Sequence, residues 1–263
     1  MQRRHIVMFV FVMALAVAGT AAAAVSGADR ASSTLNLAAS LTLNSRIGEC
    51  APPPGMDECA IRTFQGPFPG LGAVNGRYEF HIDIGGPACS EIAGKAGSYT
   101  IRLPVLGKGE LVVAVAEGPC VDSDSIRTQA QTFTVIGGTG SYVGASGSGT
   151  IERALGEPTD TGRYGLERWK GTLSVPGLEF DTTAPTLSGA TTRTVKAKKG
   201  AKNARVVFTV TATDDKDAAV AVACFPGSGT RFPLGKTRVT CSASDTSANS
   251  ATASFAVTVK RRR

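Results

Sequence analysis

The sequence predicts an all-β chain organised as two domains. Apolar and polar residues alternate over many short runs, the period of strands with one buried face. Of the 263 residues, 31 are Gly and 13 are Pro, enough to punctuate many turns, and 42% are hydrophobic, enough for two cores. After the first 24 residues, no stretch carries the 3.6-residue period of an amphipathic helix.

Residues 1–24 read as a signal peptide. Arg3 and Arg4 form its charged start, Ile6 to Val17 its apolar core, and the alanines up to Ala24 offer an Ala-x-Ala cleavage site. The apolar run is short for a spanning helix. No lipid-anchoring cysteine follows it and no apolar tail closes the chain, so a secreted or envelope-associated protein without a transmembrane anchor is expected. All six cysteines follow the leader, and an even count in an exported chain reads as a disulfide framework. Cys50, Cys59, Cys89 and Cys120 allow three pairings. Cys50–Cys59 with Cys89–Cys120 is favoured, because the first pair closes a Pro- and Gly-rich loop. No pair has metal-knuckle spacing, so neither a metal nor a cofactor is expected.

The net charge of +7 is unevenly spread. Residues 25–180 carry 12 Lys and Arg against 16 Asp and Glu, and residues 181–263 carry 14 against 5. A basic second half favours anionic surfaces such as envelope polymers. Nucleic acid is disfavoured, because no aromatics interleave the basic residues.

In the first domain, Leu35, Leu37, Leu41 and Leu43 predict an opening strand. Tyr78, Phe80, Ile82 and Ile84 share one face of a second, against Arg77, Glu79, His81 and Asp83. Tyr99 to Val105 and Leu111 to Val115 form a hairpin around Gly107-Lys108-Gly109. Phe133 and Val135 begin another strand, and Trp169, Leu173 and Val175 mark the last. Six to eight such strands fit a closed barrel or a sandwich. Residues 132–152, TFTVIGGTGSYVGASGSGTIE, run from a strand through Gly137-Gly138-Thr139-Gly140, an aromatic and a Gly/Ser run into another strand. A phosphate loop would carry a Lys and open a helix, which this run does not. The run resembles the signature of the allene oxide cyclase and dirigent family. That resemblance covers most of 60–178 and implies an eight-stranded up-and-down β-barrel over about 30–180, with a small apolar ligand as its cargo.

His81 is the only histidine left after the leader. With Glu79 and Asp83 it would form a ladder at spacing two, a candidate acid–base or metal cluster if that face lined the lumen. The competing reading turns the ladder to solvent while Phe80 and Ile82 fill the core. Trp169 reads as core.

Asp181 to Pro185 marks the boundary between domains. Arg193 to Arg205 is a basic loop between edge strands, with Lys196, Lys198, Lys199 and Lys202 as candidate anion contacts, joined by the tail residues Arg261, Arg262 and Arg263. Val206, Phe208 and Val210 alternate toward a core, and Asp214, Asp215 and Asp217 read as turn chemistry, since three carboxylates fall short of the oxygens a calcium ion needs. Residues 224–245, CFPGSGTRFPLGKTRVTCSASD, place Cys224 and Cys241 on the inward faces of neighbouring strands, as a disulfide requires. Phe255, Val257 and Val259 form the closing strand. The 224–245 stretch closely resembles the HYR (hyalin repeat) module. That resemblance implies an immunoglobulin-like β-sandwich over 181–260, followed by a basic tail at 261–263, and a role in adhesion.

The expected function is that of a secreted, non-enzymatic binding or adhesion protein whose partner is an extracellular protein or an anionic envelope polymer. The alternative is a barrel enzyme of cyclase or dirigent type steering a small apolar substrate.

Overall fold

Eight antiparallel strands close into a barrel in chain order, each hydrogen-bonded to the next: β1 (Ser33–Ile47), β2 (Glu58–Phe68), β3 (Gly72–Ile82), β4 (Ser98–Val105), β5 (Gly109–Asp122), β6 (Arg127–Gly138), β7 (Ser146–Thr159) and β8 (Gly162–Val175). This computed structural model describes residues 33–48, 50–51, 58–82, 98–122, 127–160 and 162–262. Residues 1–24, Asp83, Cys89 and Arg263 lie outside them, as do the side chains of His81 and Cys120. Closure comes from β1, which pairs with β8 from Ser33↔Val175 and with β2 from Thr42↔Gln65. Closure gives every strand two neighbours, although β3 meets β4 only at Val74↔Val105.

Alternation decides which residues fill the lumen. Leu35, Leu37, Leu41 and Leu43 on β1 point inward, as do Ile101, Leu103 and Val105 on β4 and Leu111, Val113 and Val115 on β5. Gly107 and Gly109, at φ of 74° and 121°, make the hairpin between those two strands. Glycines inside the barrel make room for rings. A Cβ on Gly149 of β7 would lie 2.7 Å from Phe133, and one on Gly171 of β8 would lie 2.9 Å from it. The Ser146–Gly149 run is therefore part of β7, while the chain turns at Gly140–Tyr142, a single 3-10 turn.

The second part holds β9 (Thr186–Ser188), β10 (Arg193–Lys196), β11 (Asn203–Arg205), β12 (Thr211–Thr213), β13 (Val222–Phe225), β14 (Arg231–Pro233), β15 (Gly235–Ser244) and β16 (Ser250–Lys260). A four-stranded sheet in the order β10-β16-β15-β13 faces two small pairs, β11-β14 and β12-β9, consistent with a sandwich. Val206, Phe208, Phe232, Val239, Phe255 and Val257 are buried in its core, and the rings of Phe208 and Phe255 meet edge-on at 5.1 Å. Cys224 stands directly opposite Cys241 across β13 and β15, and the two are disulfide-bonded. Closing that loop contributes about 3 kcal/mol in the chain-entropy model. Cys50 and Cys59 form a second disulfide, tying the β1–β2 connection.

The two parts pack as one compact unit. Leu178 and Phe180 lie against the barrel core, and Lys108 of the β4–β5 hairpin reaches the Ser247 hydroxyl at 3.2 Å. Asn249 Nδ2 donates to the Asp181 carbonyl at 3.0 Å.

Candidate functional site

Two places concentrate basic side chains among the described residues. One is a layer of buried charge inside the barrel. Arg62 of β2, Tyr78 of β3, Gln131 of β6, Arg153 of β7 and Glu167 of β8 all point inward and are buried, with Tyr99 of β4 partly so. Sheet register creates the layer, because Arg62 stands opposite Tyr78 and Arg153 opposite Glu167. Arg153 donates through Nε to Glu167 Oε1 at 2.9 Å and through one terminal nitrogen to the hydroxyls of Tyr78 and Tyr99, both at 2.8 Å. Trp169 Nε1 donates to Glu167 Oε2 at 3.2 Å. The Tyr78 and Tyr99 rings stack at 5.3 Å, and the Arg62 guanidinium lies 5.7 Å from the Tyr78 ring centre.

Burial pushes the Tyr78 hydroxyl well above its ordinary pKa, against the pull of Arg153 and Arg62. For Arg153, burial works downward, but the oxygens of Tyr78, Tyr99 and Glu167 outweigh it and hold the guanidinium charged. Tyr78 and Arg153 thus hold their protons through the physiological range. Next to this layer Phe133, Trp169 and Phe68 fill the lumen, with ring centres 5.1 and 6.1 Å from Trp169.

The other place is the outside of the second part. The parallel pairing of β10 with β16 sets Lys196 directly opposite Lys260 and brings the basic 196–202 loop beside the tail. Lys196, Lys198, Lys199, Lys202, Lys260, Arg261 and Arg262 are all exposed. Lys236 and Arg238 of β15 are exposed on the same sheet. On the facing pair, Arg205 stands opposite Arg231. None of the eight strands of this part contains Asp or Glu. Like charges set opposite one another in a sheet destabilise it unless something else supplies the counter-charge.

Of the remaining residues singled out from the sequence, Glu79 is exposed on the outer face of β3, because Tyr78 takes the inward position, and it lies 3.8 Å from Arg77. Trp169 is buried at 1% exposure. Sequence reasoning missed β2 and the inward Arg62, Gln131, Arg153 and Glu167. The signal for two of them was available: Arg153 falls at spacing two between Ile151 and Leu155, and Glu167 two residues before Trp169, so alternation runs through both.

Compared with known proteins, residues 180–259 match the HYR domain family. No curated protein and no solved structure matches the chain. HYR is a hyalin-repeat, adhesion-associated domain, which accords with a binding role.

Proposed function

We propose that this is an exported, non-enzymatic binding protein that docks on anionic envelope polymer through the basic face of its HYR module. The observation that carries the reading is same-sign pairing: Lys196 opposite Lys260 and Arg205 opposite Arg231, in sheets without a single acidic residue. The missing counter-charge is supplied by the partner. The leader at 1–24, the disulfides and the HYR match all support an extracellular setting. Among the described residues no helix is long and apolar enough to cross a membrane. In this reading the barrel is a rigid platform, its layer of fixed charge stabilising a unique lumen.

Retention of the full chain on heparin-agarose, a model polyanion, tests the proposal. Binding should weaken steeply as salt rises. The quadruple variant K196E/K198E/K199E/K202E should elute at clearly lower salt. An unchanged elution position would remove the basic face from the account.

A further inference from the structure

Every acidic residue of the second part lies in a loop, and four of the five converge at the end that faces the barrel. Asp181 comes from the segment between β8 and β9, Asp214 and Asp217 from the loop after β12, and Asp245 from the β15–β16 turn. One carboxylate oxygen of each lies within 4.8 Å of the others. By sequence alone, Asp214, Asp215 and Asp217 offer too few oxygens for calcium. The fold leaves the exposed Asp215 outside the cluster and adds Asp181 and Asp245.

Backbone donors aim the carboxylates. Thr183 N–H donates to Asp181 Oδ1 at 3.1 Å, and the N–H groups of Lys216 and Asp217 donate to Asp214 Oδ1 at 3.0 and 3.1 Å. Thr246 N–H holds Asp217 Oδ2 at 3.1 Å, and Asn249 N–H holds Asp245 Oδ1 at 2.8 Å. The second oxygens of Asp181 and Asp214 are a different matter. Both Oδ2 atoms are shielded from solvent and accept no hydrogen bond among the described residues. An unmet carboxylate oxygen away from water is costly, and more so beside like charges. Two lysines line the adjoining cleft, but Lys108 directs its ammonium to the Leu71 carbonyl and the Ser247 hydroxyl, and that of Lys216 lies 3.6 Å from Glu179.

We infer that this cluster is a calcium site that clamps the HYR module to the barrel. The donors are all hard oxygens, with no imidazole or thiolate among them, which selects a hard cation. Four carboxylates carried on loops, completed by water, suit the six to eight ligands of calcium better than the strict octahedron of magnesium. The clamp follows from where the ligands sit. Asp181 directly follows Phe180, which packs on the barrel core. Thr246, next to Asp245, lies over β3, so that a Cβ on Gly72 would come within 3.0 Å of its carbonyl oxygen. An ion bound here ties the connecting segment to two loops of the module and holds those loops against the barrel.

Calorimetric titration of CaCl2 into the chelator-treated full chain, with thermal unfolding beside it, decides the matter. One ion per chain should bind with a Kd at or below about 10⁻³ M, the range of extracellular calcium modules. Calcium should raise Tm, and magnesium should not reproduce the rise. Asp181→Asn and Asp214→Asn keep the Oδ1 acceptor, so both should fold. Each should weaken calcium binding at least about tenfold by removing one ligand charge. In EDTA their Tm should equal or exceed that of the parent, because like-charge repulsion is relieved. Three results would overturn the inference: no heat and no Tm shift at about 5 mM CaCl2, well above the expected Kd; unchanged binding in both variants; or an equal response to magnesium.

Discussion

Glu167 is the sole acidic member of the described luminal layer, and it faces Arg153 with Arg62 close by. Removing one partner of a buried pair strands the other, so Glu167→Ala should cost about 3–5 kcal/mol in chemical denaturation. The double change Arg153→Met with Glu167→Leu should cost less than either single change, since it leaves neither charge of the pair behind. A second residue-scale expectation concerns alkali. Burial pushes the Tyr142 hydroxyl up to about 12. Its folded pKa lies above the unfolded value near 10, so neutral Tyr142 contributes stability in full below pH 10 and loses it as pH rises toward and through 12. Tyr142→Phe cannot ionise, and its denaturation midpoint should fall less between pH 9 and pH 11.5 than that of the parent. The inward apolar residues were legible because alternation reports which face is buried. The inward charges were not, because alternation reads a charged position as outward unless the flanking phase is followed through it, as at Arg153.

At the scale of elements, the hairpin at Gly107-Lys108-Gly109 and the closing strand through Val257 could be read directly, since turn chemistry and period coincide there. Strand β2 could not. Its sequence, ECAIRTFQGPF, has Ala60 and Ile61 buried in succession, an inward arginine, and Gly66-Pro67 near its end, so the period of two is broken. The four carboxylates at the base of the module were legible as residues but not as a cluster, because register and loop packing rather than spacing bring Asp181 to Asp245. The glycines of β7 and β8 make their own test. A Cβ on Gly149 would come 2.0 Å from the Lys170 carbonyl oxygen as well as 2.7 Å from Phe133. Gly149→Ala should therefore destabilise the barrel by about 1–3 kcal/mol. Shortening the ring with Phe133→Leu should not restore it, because the closer obstacle is backbone. Equilibrium unfolding of the single and double variants measures both effects.

Across the whole molecule, charge is sorted along the second part. Acidic loops face the barrel, and the basic end lies where β16 finishes, its 11 residues spanning about 35 Å at the usual strand rise. The sorting is what the proposed calcium clamp at one end and the proposed anionic contact at the other both draw on. Strand order carries a consequence of another kind. The barrel closes only when β8 reaches β1, and the module's sheet is complete only when β16 slots between β10 and β15. In both parts the last strand to be synthesised is the one that seals the core. On a ribosome, neither part therefore holds a completed core until its own last strand has been made.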